Sequence, residues 1–255
     1  MTAPFRLVVG APAPRQAGPD DCGPTALTVA RMLVDPDFNA WVSADGPAHG
    51  FSSGGTTPPS RFTAYVGQVH RRATSVVGPS GALQLPWPRA LGTPPWGVCR
   101  ELELLARPRG ARYRAVLVRW MSQPRRERLL HQLAGHLSEG RPGALFIGSL
   151  GLPRHVGLIV PGGEDPAIYD PGHGTVTGWD VDALASGRAD IGGWPELWWL
   201  IAPVGQADST AAGVGAEPSL AGGLTNAKLA VRARRRARGQ GSASEDSTAR
   251  TRPVP

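Results

Sequence analysis

Apolar positions recur at three- and four-residue spacing directly after Cys22: Thr25, Ala26, Val29, Met32 and Leu33 fall on one face, which predicts a helix over 22–33. Pro24 fits its first turn, where the N–H that proline lacks has no intrahelical partner. A second helix is expected from about Pro59 with Phe62, Tyr65, Val66 and Val69 inward, and a third over 96–106 with Val98, Leu102 and Leu105 inward. Between these, 35–60 is crowded with Asp-Pro, Asp-Gly-Pro, Gly-Gly and Pro-Pro breakers and reads as a long surface loop, while 78–95 reads as irregular.

After Gly110 the period changes from helical to alternating. Tyr113, Ala115, Leu117 and Arg119 fall on one face and Val116 and Val118 on the other, the pattern of a strand. Helical spacing returns over 123–139 through Leu129, Leu133 and Leu137. The short apolar runs 142–148, 155–160 and 167–170, each bounded by Gly or Pro, are expected as adjacent antiparallel strands. A turn or two of helix over 180–186 and a final strand over 196–202 complete an α+β domain of residues 1–204. Residues 205–255 are Ala, Gly, Ser and Thr with an arginine run, too poor in apolar surface to offset their ordering entropy, and are expected to be a disordered tail.

Composition supports this outline: 34 glycines and 26 prolines in 255 residues favour a turn-rich α+β domain over a helix bundle. The net charge of +7 is uneven, with Arg232, Arg234, Arg235, Arg236 and Arg238 bunched in the tail, so it argues little for a nucleic-acid partner. Cys22 and Cys99 stand in dissimilar contexts and are expected as free thiols, which points to a reducing compartment. The first fifteen residues lack the pattern of a secretory signal, and no stretch has membrane-spanning length; a cytoplasmic protein with no membrane partner is expected. No His, Cys and carboxylate cluster has ligand spacing, so neither a metal nor another cofactor is expected.

The chemistry concentrates around Cys22. A thiol at a helix N-terminus meets unpaired N–H groups and the positive end of the macrodipole, which favour the thiolate. Gln16, six residues upstream across Gly18-Pro19, can aim its amide at the carbonyl oxygen that the Cys22 N–H would meet, giving two donors for an oxyanion. His155 opens its strand and is the candidate base. If 161–164 form a four-residue hairpin loop, Val160 pairs with Asp165 and His155 lies opposite Asp170, with Cβ atoms about 4.5–5.5 Å apart, so that Asp170 orients the ring. His173 is the rival base, Cys99 lies on an apolar helical face and reads as core, and Trp41 and Trp87 are candidates to line a cleft. Each residue alone has a bland explanation, such as a small buried thiol, a surface amide, a strand-end histidine or a turn-starting Asp-Pro-Gly. Their relation to one another carries the reading.

Gln16, Asp21-Cys22-Gly23-Pro24, His155-Val156-Gly157 and Tyr169-Asp170-Pro171 resemble, in order and spacing, the Gln, Cys, His and Asp blocks of the C39-like branch of papain-like cysteine peptidases, which includes bacteriocin-leader peptidases. Gly140-Arg141-Pro142-Gly143 ahead of a strand is similar too, and the resemblance spans about 10–204. It implies a papain-like fold, with the cysteine-bearing N-terminal helix packed on an antiparallel sheet. It also implies Cys22 as nucleophile, His155 as general base then acid, Asp170 orienting His155, and Gln16 donating to the oxyanion. The expected activity is cleavage of a peptide or isopeptide bond in a peptide or protein substrate through a Cys22 thioester. Two alternatives are transfer of the acyl group to an amine, and a non-catalytic papain-like scaffold whose basic tail binds nucleic acid or an acidic partner. Val156 stands where that family often has an aromatic, and the sequence lacks the transporter regions that accompany its bacteriocin-processing members, so fold carries over further than substrate.

Overall fold

The structure, a computed structural model, describes residues 5–44, 56–138, 140–162 and 165–204. Contacts divide the chain into a unit of residues 1–149 and 153–209 and a second of 150–152 and 210–255. The fold below is that of the first unit; the expected tail, 205–255, lies outside the described residues.

Helix α1 (Cys22–Val34) is buried on nearly every side, from Cys22 through Ala30, as an apolar helix at the centre of a domain must be. Asp35 both ends it and starts α2 (Pro36–Ser43): its carboxylate accepts a hydrogen bond from the Phe38 N–H at 2.9 Å, and Pro36 occupies the first turn. The expected loop over 35–60 therefore begins with a helix. The reason is packing, since Phe38, Trp41 and Val42 are buried and the Phe38 ring lies 5.6 Å from Trp41 and 4.5 Å from Tyr65. Trp41 is thus core rather than cleft lining, and Trp87 packs edge-on to Trp96 at 5.3 Å.

Helix α3 (Pro58–Thr74) carries the fully buried Arg61, whose guanidinium donates to the carbonyls of Trp41 (3.0 Å), Ala44 (2.6 Å) and Thr56 (3.0 Å). Helix α4 (Pro95–Ala106) is joined to α3 by the Arg72–Glu101 ion pair at 2.8 Å. Burial raises the Glu101 pKa even against the neighbouring Arg72 charge. Cys99, also on α4, is a free thiol in the core, and burial pushes its pKa far up.

Strand β1 (Arg112–Leu117) is followed by α5 (Gln123–His136), β2 (Gly143–Gly148), β3 (Pro153–Val160), β4 (Ala167–Asp170), β5 (Thr175–Gly178), α6 (Val181–Ser186) and β6 (Glu196–Val204). They form one antiparallel sheet in the order β1-β6-β2-β3-β4-β5, so the last strand in sequence is inserted between β1 and β2. All of β2 and the last six residues of β3 are buried. Both faces are covered: Phe146, Val156, Leu158 and Tyr169 face the cluster built on α1 and α4, while Leu145, Ile147, Ile159 and Ile168 face Leu130 and Leu133 of α5 and Leu184 of α6. That double burial is why these strands read as continuous apolar runs. β5 was not among the expected strands, and α5 turns Leu130 inward with Leu133 and ends at His136.

One register differs from expectation. Val160 pairs with Ala167, Ile159 with Ile168 and Leu158 with Tyr169, rather than Val160 with Asp165. Pro166 has no N–H to give the ladder, so pairing begins one residue beyond it. The displacement is by two residues, which preserves the face of every side chain, whereas a displacement by one would have reversed it. Among the described residues no helix is long and apolar enough to cross a membrane.

Candidate active site

Three backbone devices converge on one place. The N-terminus of α1 presents Cys22, buried to 5% exposure; the start of β3 presents His155; and the end of β4 presents Asp170, from which the chain turns through Pro171-Gly172-His173-Gly174 into β5. Gly174 closes that turn with its N–H on the Asp170 carbonyl at 2.9 Å and a φ of 66°.

His155 Nε2 lies 2.6 Å from Asp170 Oδ1, with both side chains buried. Although the two residues are not directly opposite in the ladder, they share a face, and the diagonal relation is within reach of an imidazole. Cys22 is the other side chain that acts on this ring, raising its pKa as a hydrogen-bonding and charged partner. With Nε2 committed to Asp170, Nδ1 is the ring nitrogen left for the sulfur.

Burial on its own would lower the His155 pKa; hydrogen bonds to Asp170 and Cys22, and the charges of both, outweigh it and push it up to about 9. Asp170 is the converse case. Burial would raise its pKa, but hydrogen bonds from His155 and His173, the His155 charge and the Gly172 N–H hold it well below the ordinary carboxylate range. Its four bonds are divided evenly: Oδ1 takes His155 and the Gly172 N–H (2.8 Å), Oδ2 takes His173 Nδ1 (2.7 Å) and the Gly192 N–H (2.9 Å). His173, the rival base, is therefore a second partner of the carboxylate, with its side chain 59% exposed.

Gln16 reaches this region because the N-terminal segment runs along the β4–β5 hairpin, with Gly10 N–H on Val176 O, Ala13 N–H on Gly174 O and Gln16 N–H on Pro171 O. The Tyr169 hydroxyl donates to Pro14 O and secures the same segment. The Gln16 side chain donates from Nε2 to Gly18 O at 2.8 Å, while its Oε1 is buried without a partner. Cys22, His155 and Asp170 are thus brought together by α1, β3 and β4, while Gln16 is tied by its backbone to Pro171, next to Asp170, with its side chain on Gly18 O.

Two glycines that sequence reasoning did not single out complete the surroundings of the ring. A Cβ on Gly192 would lie 2.7 Å from His155 Cδ2, and one on Gly172 would lie 3.1 Å from His155 Cε1. Backbone therefore packs against the imidazole: at Gly192 no side chain fits without moving the ring, and at Gly172 one would press on it. The Gly192-Gly193 pair, both with positive φ, marks a turn in the sequence, but nothing local connects position 192 to position 155. Among the described residues no three His, Cys, Asp or Glu side chains are gathered as ligands for a metal ion.

The arrangement offers a definite chemical capacity. A thiol beside an imidazole whose far nitrogen is fixed on a buried, ionised carboxylate can exchange one proton at one atom, Nδ1, without the ring turning. Comparison of the chain with protein-family models, with curated proteins and with solved structures finds no match.

Proposed function

We propose that this chain is a thiol hydrolase that cleaves a peptide or isopeptide bond through a Cys22 thioester, on a papain-like fold of the C39-like kind. The observation that carries the proposal is the buried string Cys22, His155, Asp170, in which His155 has both an acid–base partner and a fixed orientation. An antiparallel sheet that presents the base, and a helix N-terminus that presents the sulfur, support the same reading.

In the proposed reaction His155 takes the Cys22 proton onto Nδ1, and the sulfur attacks as the thiolate. The thiolate attacks the carbonyl carbon; an S–C bond forms and the carbonyl electrons move onto oxygen. That oxyanion is met by the Cys22 backbone N–H and by the Gln16 amide. As the C–N bond breaks, the proton on Nδ1 passes to the departing nitrogen, which leaves as an amine. Nδ1 then takes a proton from water, the resulting hydroxide attacks the thioester carbon, and the S–C bond breaks to release the acid and return the thiolate–imidazolium pair. An amine in place of water at the last step gives acyl transfer, which product analysis with added amines distinguishes.

The test is competitive alkylation. Iodoacetamide applied to the native protein is expected to label Cys22 well before Cys99, whose burial keeps it protonated, and His155→Ala is expected to slow Cys22 labelling by about ten-fold or more. Equal labelling of the two cysteines, or no effect of His155→Ala, contradicts the proposal.

A further inference from the structure

Asp21, the residue before Cys22, caps α1 by position but not by chemistry: its side chain makes no hydrogen bond to the helix. An N-cap carboxylate ordinarily accepts from the second or third helical N–H. Here the third residue is Pro24, which has none, and the carboxylate turns the other way. Asp21 Oδ2 accepts from the Gly18 N–H at 3.0 Å, and the Asp21 N–H returns to Gly18 O at 3.3 Å. The turn is closed so tightly that a Cβ on Gly18 would lie 2.7 Å from Oδ2.

The second carboxylate oxygen faces His70 of α3, with Nδ1 3.5 Å from Oδ1. His70 is buried, and its Nε2 has no partner. Nδ1 is therefore the one ring nitrogen that faces a partner, the Asp21 carboxylate across 3.5 Å. Gly18 O, in turn, accepts the Gln16 amide. An ion-pair contact from α3 therefore joins His70 to Asp21, and hydrogen bonds continue from Asp21 through Gly18 to Gln16. The last of these spends one of the two Gln16 N–H donors and leaves the other for an oxyanion.

We propose that His70 and Asp21 are positioning residues for the oxyanion side of the site: together they hold the 16–21 turn so that the Gln16 amide and the Cys22 N–H face the same point. This rests on the thioester reading above.

The test compares two reactions of the same sulfur. Acylation by p-nitrophenyl acetate passes through an oxyanion as the sulfur displaces p-nitrophenolate; alkylation by iodoacetamide displaces iodide at a saturated carbon and forms none. His70→Leu is expected to slow the p-nitrophenolate burst by about ten-fold or more, as misplacement of a donor does, while iodoacetamide labelling of Cys22 stays within about two-fold. His70→Gln, which keeps a donor for Asp21, is expected to restore most of the burst, and Gln16→Ala to reproduce the selective loss. If His70→Leu does not fold, Asp21→Ser, which caps the helix without spanning Gly18 and His70, provides the same comparison. Parallel slowing of both reactions, or no slowing of either, overturns the positioning role alone. A wild-type protein that gives no burst at Cys22 overturns the thioester reading and this proposal with it.

Discussion

His155 is held on every side that matters: Asp170 on Nε2, Cys22 toward Nδ1, and the backbones of Gly172 and Gly192 against the ring. Gly192→Ala tests how much depends on that fit. The new Cβ would overlap the ring at 2.7 Å from a backbone with φ 63°, so the ring must shift and the Gly192 N–H to Asp170 must loosen. Acylation of Cys22 is expected to fall by about ten-fold or more, measured beside a melting curve that shows the variant folded. An unchanged rate would mean that the ring is not held by this contact. The same residues set a pH dependence. The folded-state pKa of His155, about 9, lies above its ordinary 6.5, so its stabilisation is complete below about 6.5 and is lost as pH rises through 9. Asp170, depressed below its ordinary 3.8, contributes above that value and loses its contribution on acidification. Urea unfolding at pH 6 and at pH 9.5 is therefore expected to show a loss in the wild type that is smaller in His155→Gln; equal losses would contradict the assignment. Cys22, His155 and Asp170 were legible in the sequence because each is a chemically distinctive residue at a helix start or near a strand end, and Gln16 was singled out only by its spacing from Cys22. Gly172 and Gly192 were not, because a glycine's role is set by what lies opposite it, and that is long-range.

At the scale of elements, a single buried cation joins two helices across a breaker-rich stretch. Arg61 of α3 donates to carbonyls of Trp41, Ala44 and Thr56, so the end of α2 and the approach to α3 are fastened at one guanidinium. Arg61→Met fills similar space but strands the buried Trp41 carbonyl and unpairs those of Ala44 and Thr56, and denaturant titration is expected to show a loss of about 2 kcal/mol or more. A loss under about 1 kcal/mol would mean that these bonds are replaced without cost. The long helices and the doubly buried strands were readable because their apolar period is unambiguous. α2 was not, since eight residues between an Asp-Pro start and a Gly-rich stretch look like turns, and its helical state is decided by burying Phe38 and Trp41 against Tyr65. β5, four residues with only Val176 buried, carries too few apolar positions to show alternation. The β3–β4 register turned on Pro166, and the two-residue displacement left His155 and Asp170 on one face.

For the whole molecule, the sheet order brings distant parts of the chain to one site. β3 and β4 supply His155 and Asp170, the N-terminal segment bonded along the β4–β5 hairpin supplies Gln16, and α1, packed on the sheet, supplies Cys22. Such a site forms only in the folded domain, and its defining claim is that Cys22 accepts an acyl group with His155 as its proton partner. The direct measurement is the mass of the protein and of its Cys22 peptide after brief exposure to p-nitrophenyl acetate. One hydroxylamine-labile acetyl group is expected on Cys22, absent in Cys22→Ala and formed far more slowly in His155→Ala. An acetyl group found only at other residues, or formed on Cys22 at the same rate without His155, would contradict it.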